Sequence, residues 1–437
     1  MSSQETLASL DFGDAARLDG SLSDCARGLL GSEILKIATE IREIVRAGGT
    51  VCNLTVGDFN ARYFPIPAGL KTRIEAALEA GETNYPPSDG VLALRQAVAK
   101  RFAKDWGVTY PLASVVIAGG ARPILYAAYQ CVLNPGDAVV YGVPSWNNNH
   151  YAWLSSAKKI ELHTGEREGF HPTLEQVQPH LSQAQLLCLC SPSNPTGTVI
   201  APERLRAITQ AVVDENRRRD RQGRRNLFLL FDQVYAALVF GEARHVHPVA
   251  LCPEAAPYTI ALDAVSKQFA GTGLRVGWML APPPVAARMR DYLGHVGAWA
   301  PRAEQVAAAG FLEDDEAVAA WRREMSARVH ERLTALHTGF MELKRAGYPV
   351  DCVPPQGAIY LSMRLDLVGR TLEGKPLHGN EAIRQILLSE AGVAVVPFQA
   401  FGLPDETGWF RISVGAVSME EIREAFPRMR RLLDRLV

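Results

Sequence analysis

The stretch T-I-A-L-D-A-V-S-K-Q-F-A-G-T-G-L-R-V-G-W, residues 259–278, joins a short apolar run to a lysine, two glycines and an arginine. Lys267 follows the apolar run, and Arg275 comes eight residues after the lysine. An amine at the end of a strand suits a Schiff base with a carbonyl cofactor, and a nearby guanidinium suits a phosphate on that cofactor. A surface lysine and a surface arginine on a glycine-containing loop explain this spacing equally well, so the neighbouring segments have to distinguish the two interpretations.

Other short runs resemble the one before Lys267. Each is apolar throughout rather than alternating, which is typical of strands buried on both faces. The runs lie at residues 115–118, 138–141, 186–190, 227–231, 259–262 and 276–280. Because they alternate with helical stretches, the sequence predicts an α/β fold with an open, mostly parallel sheet flanked by helices.

The pattern changes after about residue 310, where long amphipathic helices with a few strands predict a second, smaller α+β domain. Before the first run, Ser32 is a candidate cap for a helix with apolar residues at a 3.6-residue period. We therefore predict an N-terminal arm at residues 1–30, a small α+β domain formed by residues 31–65 and 311–437, and a large domain at residues 66–310.

Composition limits the classes of partner. The chain has 437 residues, is 47% hydrophobic and carries a net charge of −1, so no overall field favours nucleic acid or an anionic membrane. No segment approaches the roughly 20 apolar residues of a membrane span, and the N-terminus lacks the pattern of a signal peptide. Together with the scattered cysteines, these features predict a cytoplasmic protein in a reducing compartment.

Some polar clusters are better explained without a function. His245 and His247 have no third metal ligand nearby in sequence, so we interpret them as solvated loop histidines and predict no metal site. Cys188 and Cys190 share one face of a predicted strand and are expected to be buried thiols. The arginines at residues 217–225 are expected to form a solvated helix end rather than a nucleic-acid site.

Suggestive residues follow three further runs, at the sheet edge where open parallel sheets bind ligands. Gly120 follows the first run, and a helix that starts after glycines offers backbone N–H groups to a phosphate. Asn194 is held extended by the proline after it. Asp232, with Tyr235 three residues later, is a carboxylate that needs a cationic partner. Singly, each of these is equally typical of an ordinary helix start, turn or helix cap.

Nine motifs together carry a family resemblance. In order, they are N-L-T-V-G-D-F, N-Y-P-P-S-D-G-V-L-A-L-R, G-G-A-R, V-P-S-W, S-N-P-T-G, D-Q-V-Y, S-K-x7-R-x-G, Q-G-A-I-Y and W-F-R-I-S-V-G. From about residue 33 to the C-terminus, the chain resembles the class I/II aminotransferases of the fold-type I enzymes, which use pyridoxal 5′-phosphate (PLP). The resemblance implies an aminotransferase that uses PLP.

The resemblance also implies roles for residues around the cofactor ring. Lys267 would hold PLP as a Schiff base, and Asp232 would pair with the pyridine nitrogen. Tyr235 and Asn194 would hydrogen-bond to the ring oxygen, and Trp146 would stack on the ring face. The phosphate would be bound by Arg275, Ser266 and the backbone of Gly120, Ala121 and Arg122. Tyr85 would reach the phosphate of a neighbouring subunit, which predicts a homodimer with shared active sites.

On the substrate side, Arg411 would bind the α-carboxylate through two hydrogen bonds, beside the Gly57 backbone and Asn194. Lys267, once freed, would move the proton as general base and acid. The resemblance favours aspartate with 2-oxoglutarate, although an aromatic or aliphatic amino acid fits nearly as well. A side-chain carboxylate needs a second cation, for which the candidates are Arg62, Arg122 and Arg302.

The chain also departs from the family pattern. Ala264 stands where many relatives have a phosphate-binding serine, so that contact is lost or passes to Ser266. Phe398 replaces a glycine in P-F-Q-A-F-G and affects the expected shape of the pocket. Asn149 and His150 are both candidates to support Asp232.

Two alternatives to an aminotransferase stay open at this point. The first keeps PLP but changes the reaction to that of a C–S lyase, a decarboxylase or a cyclising enzyme, because all of these share the same activated substrate. The second is a PLP-binding regulatory module. It is disfavoured because the residues before Ser32 are too few for a DNA-binding domain.

Overall fold

The computed structural model describes residues 12–29, 31 and 33–437. The predicted cap, Ser32, and most of the first half of the predicted arm lie outside these residues. The helices are α1 Ala15–Gly20, α2 Asp24–Arg27, α3 Glu33–Arg46, α4 Ala68–Glu79, α5 Leu92–Trp106, α6 Ala121–Val132, α7 Asn148–Leu154, α8 Leu174–Val177, α9 Pro202–Asp220, α10 Pro248–Leu251, α11 Val265–Gln268, α12 Pro283–His295, α13 Arg302–Glu313, α14 Asp315–Arg345, α15 Asn380–Ala391 and α16 Met419–Leu433.

The strands are β1 Cys52–Asn53, β2 Val115–Ala118, β3 Ala138–Val143, β4 Lys158–His163, β5 Ala184–Cys190, β6 Phe228–Asp232, β7 Thr259–Ala264, β8 Gly277–Leu280, β9 Val350–Cys352, β10 Tyr360–Leu365, β11 Thr371–Leu372, β12 Lys375–Pro376, β13 Val393–Ala394, β14 Val396–Pro397 and β15 Trp409–Ser413. All six predicted apolar runs are strands, and their bounds differ from the predicted ones by a few residues at most.

A seven-stranded sheet in the order β2-β8-β7-β6-β5-β3-β4 forms the centre of the large α/β unit. The pairs from β7 to β4 are parallel, and β8 runs antiparallel to both of its neighbours. The predicted mostly parallel sheet is therefore confirmed. Strand β4 was missed, because at the edge of the sheet Lys158 and Lys159 are exposed and the strand has no continuous apolar run.

The central strands are apolar throughout because helices cover both faces of the sheet. Successive residues of a strand point to opposite faces. Along β5, Leu187 joins the cluster that contains Ile208 of α9, whereas Leu186 joins the cluster that contains Ile124 of α6. An alternating polar pattern would place polar groups against one of these helices.

The C-terminal part contains a four-stranded antiparallel sheet in the order β14-β15-β10-β9. The long helix α14 packs on β9, and α15 packs on α16. Strand β1 pairs with β13, which joins residues 52–53 to this C-terminal part. The structure therefore has a large α/β unit and a smaller α+β part, while the domain boundaries near residues 65 and 310 stay a prediction.

Two predictions of solvated side chains are wrong. His247 is buried between the Gln233 amide oxygen and the Tyr110 hydroxyl, and burial lowers its pKa to about 3. His245 stacks on Phe231, and burial lowers its pKa to about 3 as well. Both histidines are enclosed because their loop packs back against β6, which periodicity does not reveal.

The arginine-rich end of α9 is only partly solvated. Arg219 is fully buried and donates hydrogen bonds to the carbonyls of Leu181 and Ala184 and to the Glu215 carboxylate. A buried guanidinium needs many acceptors, and the loop before β5 supplies them. Arg219 therefore connects the C-terminal end of α9 to the start of β5 through hydrogen bonds. Within the described ranges, no helix has both the length and the apolar character to cross a membrane.

Candidate active site

A cavity of about 950 Å³ lies at the sheet edge where β5, β6 and β7 end. Because these strands are adjacent and parallel, the residues that follow them are brought to one place. The predicted site residues that line the cavity are Gly57, Ala121, Arg122, Trp146, Asn194, Asp232, Tyr235, Ser266, Lys267, Arg275 and Arg411. Gly120 and Tyr85 do not line it.

Lys267 lies on the one-turn helix α11, directly after β7. Its Nζ donates a 2.6 Å hydrogen bond to the carbonyl of Gly57. Burial lowers the pKa of Lys267 to about 8, and the nearby guanidiniums of Arg411 and Arg122 act in the same direction, whereas Asp58 opposes them. An amine with this pKa is partly neutral near neutral pH, as a nucleophile or a general base must be.

Asp232 ends β6 and accepts a 3.1 Å hydrogen bond from the backbone N–H of Val234. Burial raises the pKa of its carboxyl to about 6, against the opposing effect of Lys267. The carboxylate is half-buried and lines the cavity, and among the described residues Val234 alone donates a hydrogen bond to it, so it suits a cationic ligand group. Asn149 and His150 line the same cavity, but within the described part of the chain neither hydrogen-bonds to Asp232.

The start of α6 and the Arg275 guanidinium lie close together and form a cradle at the cavity wall. Gly120 has a φ of +95°, and a Cβ there would collide with the Arg275 guanidinium. A Cβ on Gly277 would lie 2.6 Å from the Gly120 carbonyl carbon. The two glycines therefore let the helix start approach Arg275, which itself donates 2.8 Å bonds to the carbonyls of Gly119 and Thr272.

The amides of Ala121 and Arg122 are the donors that this cradle offers, because the first turn of a helix has no internal acceptor for them. The Gly120 amide is already bonded to the Ala118 carbonyl. Gly120 therefore acts as a spacer rather than a donor. The cradle, its free amides and an arginine fit the phosphate of PLP.

Ser266 and Ala264 lie on either side of the turn that leads to Lys267. Ala264 is fully buried in β7 and offers no hydroxyl, as the sequence requires. Ser266 is mostly buried and lines the cavity. A phosphate contact from Ser266 stays a prediction.

Arg411, on β15, is held between two aromatic rings. Its Cζ lies 4.8 Å from the ring centroids of both Tyr360 and Phe401. One Nη donates to the Asn194 side-chain oxygen at 3.2 Å and the other to the Thr55 carbonyl at 2.5 Å. The Nε is buried without a partner in the described residues, so the guanidinium keeps an unused donor of the kind a carboxylate accepts.

Arg122 also lines the cavity, and no carboxylate of the described residues forms an ion pair with it. Its side chain is exposed, and its Cζ lies 4.5 Å from the ring centroid of Trp146. The two other candidates for a second cation lie outside the cavity lining, since Arg62 is near Tyr63 and Arg302 pairs with Glu82.

Tyr85 is 81% exposed, and its ring packs on Trp299 outside the cavity. Its predicted contact with a second subunit stays a prediction. Phe398 is fully buried against Phe170 and Trp409. It therefore affects the cavity through Phe170, which lines it, rather than by entering the cavity itself.

Sequence reasoning missed the role of Tyr360. Its hydroxyl lies 2.7 Å from that of Tyr235, and its ring contacts Arg411. The sequence signal for this residue is the tyrosine of Q-G-A-I-Y, one of the motifs that carry the family resemblance.

Comparisons with known proteins agree with this geometry. The profile of the family described as "Aminotransferase class I and II" matches residues 50–429. The aspartate aminotransferase of Geobacillus stearothermophilus is 29% identical over 93% of this chain and 97% of the relative. The aspartate aminotransferase structure from Rhizobium meliloti superposes with a TM-score of 0.86 at 27% identity, covering 95% of this chain and 99% of that one. The aromatic aminotransferase structure from Pyrococcus horikoshii gives 0.78 at 28% identity, covering 91% and 98%.

Proposed function

The chain belongs to the class I and II aminotransferases, and from that premise we propose that it transfers the amino group of aspartate to 2-oxoglutarate. One observation carries the choice of substrate. Besides Arg275 in the phosphate cradle, the cavity holds two arginines, Arg411 and Arg122, and neither is paired with a carboxylate of the described residues. Aspartate has two carboxylates to offer.

The enzyme is a PLP-dependent aminotransferase, and several residues fit the cofactor. Arg275 and the start of α6 would hold the phosphate, and Asp232 would hold the protonated pyridine nitrogen. When bound, PLP supplies a carbonyl for the amino group and an electron-withdrawing ring that stabilises charge at the substrate Cα. Lys267 would anchor it, because its amine lines the same cavity and is partly neutral near neutral pH.

Arg411 is proposed to bind the α-carboxylate. Its position between two rings fixes the plane of the guanidinium, so a carboxylate meets a preorganised pair of donors. Asn194 and the Gly57 backbone would lie on either side of it. This arrangement orients the Cα of the amino acid relative to Lys267.

Lys267 is proposed to move the proton of the substrate. Its Nζ would take a proton from the substrate Cα and return it two bonds away, on the cofactor carbon that is joined to the substrate nitrogen. A pKa of about 8 suits both directions, because the amine neither holds a proton too tightly nor lacks one at neutral pH.

Arg122 is proposed to bind the side-chain carboxylate of aspartate. Its guanidinium is exposed, and Trp146 provides a flat surface beneath it. Such a cation selects dicarboxylates without taking part in the chemistry.

An aromatic amino acid is the second candidate, favoured by the rings in the cavity lining. Trp146, Phe170, Tyr360 and Phe401 all line it. The P. horikoshii relative is named as an aromatic aminotransferase, so the same fold accommodates such substrates.

We also propose a homodimer in the cytoplasm. Tyr85 is an exposed aromatic residue that packs on the half-buried Trp299, outside its own cavity, and an exposed tyrosine of this kind suits a subunit interface. Sedimentation of the purified protein at two concentrations tests the assembly, and a monomer at both would contradict it.

A steady-state assay tests the substrate. Purified, PLP-loaded protein is given 2-oxoglutarate with aspartate, glutamine, leucine or phenylalanine in turn, and glutamate formation is measured. We expect aspartate to give the highest kcat/KM. A higher value for phenylalanine would replace the aspartate proposal by the aromatic one, and no turnover with any donor would count against both.

A further inference from the structure

Tyr235 and Tyr360 form a pair of buried tyrosines at the wall of the cavity. Their hydroxyl oxygens lie 2.7 Å apart, and their rings meet edge to face at 72° with centroids 5.5 Å apart. Tyr235 is predicted to hydrogen-bond to the PLP ring oxygen, whereas Tyr360 has no assigned role. The short contact joins the two hydroxyls into one hydrogen-bonded unit.

The protons of this unit can be counted. Each hydroxyl has one proton to donate, and only one proton lies between the two oxygens. Within the described residues, neither hydroxyl has another hydrogen-bond partner. If Tyr360 donates to Tyr235, the proton of Tyr235 is left to point into the cavity. If Tyr235 donates instead, its proton is turned away from the cavity.

We propose that Tyr360 is a positioning residue that donates its hydroxyl proton to Tyr235 and so makes Tyr235 a donor to the ring oxygen of bound PLP. The inference rests on the proposed function in one respect, the contact between Tyr235 and that ring oxygen. Hydrogen bonds in a chain polarise one another, so the donation from Tyr360 also strengthens the bond that Tyr235 makes.

The surrounding charges favour donation from the Tyr360 hydroxyl to the Tyr235 hydroxyl. The Arg411 guanidinium lies over the Tyr360 ring and stabilises a negative charge there, which makes the Tyr360 hydroxyl the better donor. Burial raises the pKa of both tyrosines, and the Arg411 charge opposes this rise in both. The hydrogen bond between the two hydroxyls raises the pKa of Tyr235 but lowers that of Tyr360, so Tyr360 is the more acidic of the two. The more acidic hydroxyl of a pair donates to the less acidic one.

Other titratable groups face the pair as well. Lys267 has its Nζ 5.9 Å from the Tyr235 ring centroid, and Asp58 lies close enough to raise the pKa of Tyr360. The Cys190 thiol faces both rings, but burial raises its pKa well above the usual value, so it stays neutral. None of these groups is hydrogen-bonded to either hydroxyl.

Gly57 leaves room for the Tyr360 hydroxyl. A Cβ at this position would lie 2.8 Å from the hydroxyl oxygen, closer than real Cβ atoms approach. The glycine therefore leaves the room that the hydroxyl occupies, and the same residue accepts the hydrogen bond from Lys267.

The test is a pH titration of the visible absorbance of the PLP-loaded protein without substrate. Tyr360→Phe keeps the ring beside Arg411 and removes only the hydroxyl. Weaker donation leaves more negative charge on the ring oxygen, which favours the protonated form of the nitrogen that joins Lys267 to PLP. We expect the apparent pKa of the absorbance change to rise by about one unit, and by more in Tyr235→Phe.

A double variant shows whether Tyr360 acts through Tyr235. If it does, Tyr235→Phe with Tyr360→Phe titrates like Tyr235→Phe alone. Tyr141→Phe is the matched control, because it removes a buried tyrosine hydroxyl that bonds to Glu161 away from the cavity, and it should leave the titration unchanged.

The outcomes separate the two proposals. Two results would overturn the inference about Tyr360 and leave the contact between Tyr235 and the cofactor standing. In the first, Tyr235→Phe shifts the titration and Tyr360→Phe does not. In the second, the shifts of the two single variants add in the double variant. If Tyr235→Phe causes no shift, the contact between Tyr235 and the cofactor is wrong, and the inference fails with it. Circular dichroism of each variant confirms that the fold is retained.

Discussion

The inner and outer ends of the cavity differ in how firmly the protein holds their charged side chains. At the inner end, defined by Lys267, Asp232 and Arg411, each group lies on or directly after a strand and has at least one protein hydrogen bond. At the outer end, defined by Arg122 and Trp146, the guanidinium is exposed and lies over the tryptophan ring, with no hydrogen bond to another described residue. The inner end is built for a reaction common to many substrates, and the outer end is where a choice between substrates can be made.

The largest expected effect is at the inner end. Lys267→Ala removes the anchor of PLP and the proposed proton carrier, so we expect kcat to fall by about a thousandfold or more with every amino acid. The measurement is turnover together with the visible spectrum of the loaded protein. Lys158→Ala, on the exposed edge strand β4, is the control. Substantial turnover in Lys267→Ala would remove the lysine from the mechanism.

Arg411→Met tests whether the inner arginine serves all substrates alike. The variant lacks the buried guanidinium that would pair with the substrate α-carboxylate, so kcat/KM should fall by about 100-fold or more. Because every amino acid has an α-carboxylate, the loss should be similar for aspartate, alanine and phenylalanine. A loss confined to aspartate would instead give Arg411 the role proposed for Arg122.

Arg122→Met is the matched change at the outer end. The side chain is exposed, so its ion pair is weaker, and we expect kcat/KM for aspartate to fall by about tenfold. Alanine and phenylalanine have no side-chain carboxylate and should react as before. An equal fall for all three would mean that Arg122 serves the cofactor or the fold rather than substrate choice.

The smallest expected effect concerns the stability of the PLP-free protein. Burial lowers the pKa of folded Lys267 from 10.5 to about 8, so the charged amine destabilises the fold fully below pH 8, and this cost disappears as the pH rises from 8 to about 10.5. Lys267→Met removes this cost. We expect its Tm to exceed that of the parent by about 1–3 °C at pH 7 and the difference to shrink as the pH rises above 8. A difference independent of pH would contradict the lowered pKa.

Sequence reasoning succeeded where one physical requirement dominates. Strands buried on both faces must be apolar throughout, so β2, β5 and β7 were predicted, whereas the half-exposed β4 was not. Residues that follow parallel strands must meet at one edge, which brought Asp232 and Lys267 together.

Predictions failed where tertiary packing decides. His245 and His247 have no local signal of burial, because the enclosing residues come from other segments. The contact between Tyr360 and Tyr235 joins residues 125 positions apart. Among the three candidate arginines, proximity to motifs did not distinguish Arg122, because only the folded chain brings one of them into the cavity.

A single-turnover reaction tests the central claim most directly. PLP-loaded protein is mixed with aspartate without any oxo acid, and the absorbance of the pyridoxal form is followed while the released oxo acid is measured. We predict complete conversion to the pyridoxamine form with one oxaloacetate released per active site. No conversion with aspartate, together with conversion by phenylalanine, would contradict the assignment of Arg122 and Arg411 to two carboxylates of one substrate.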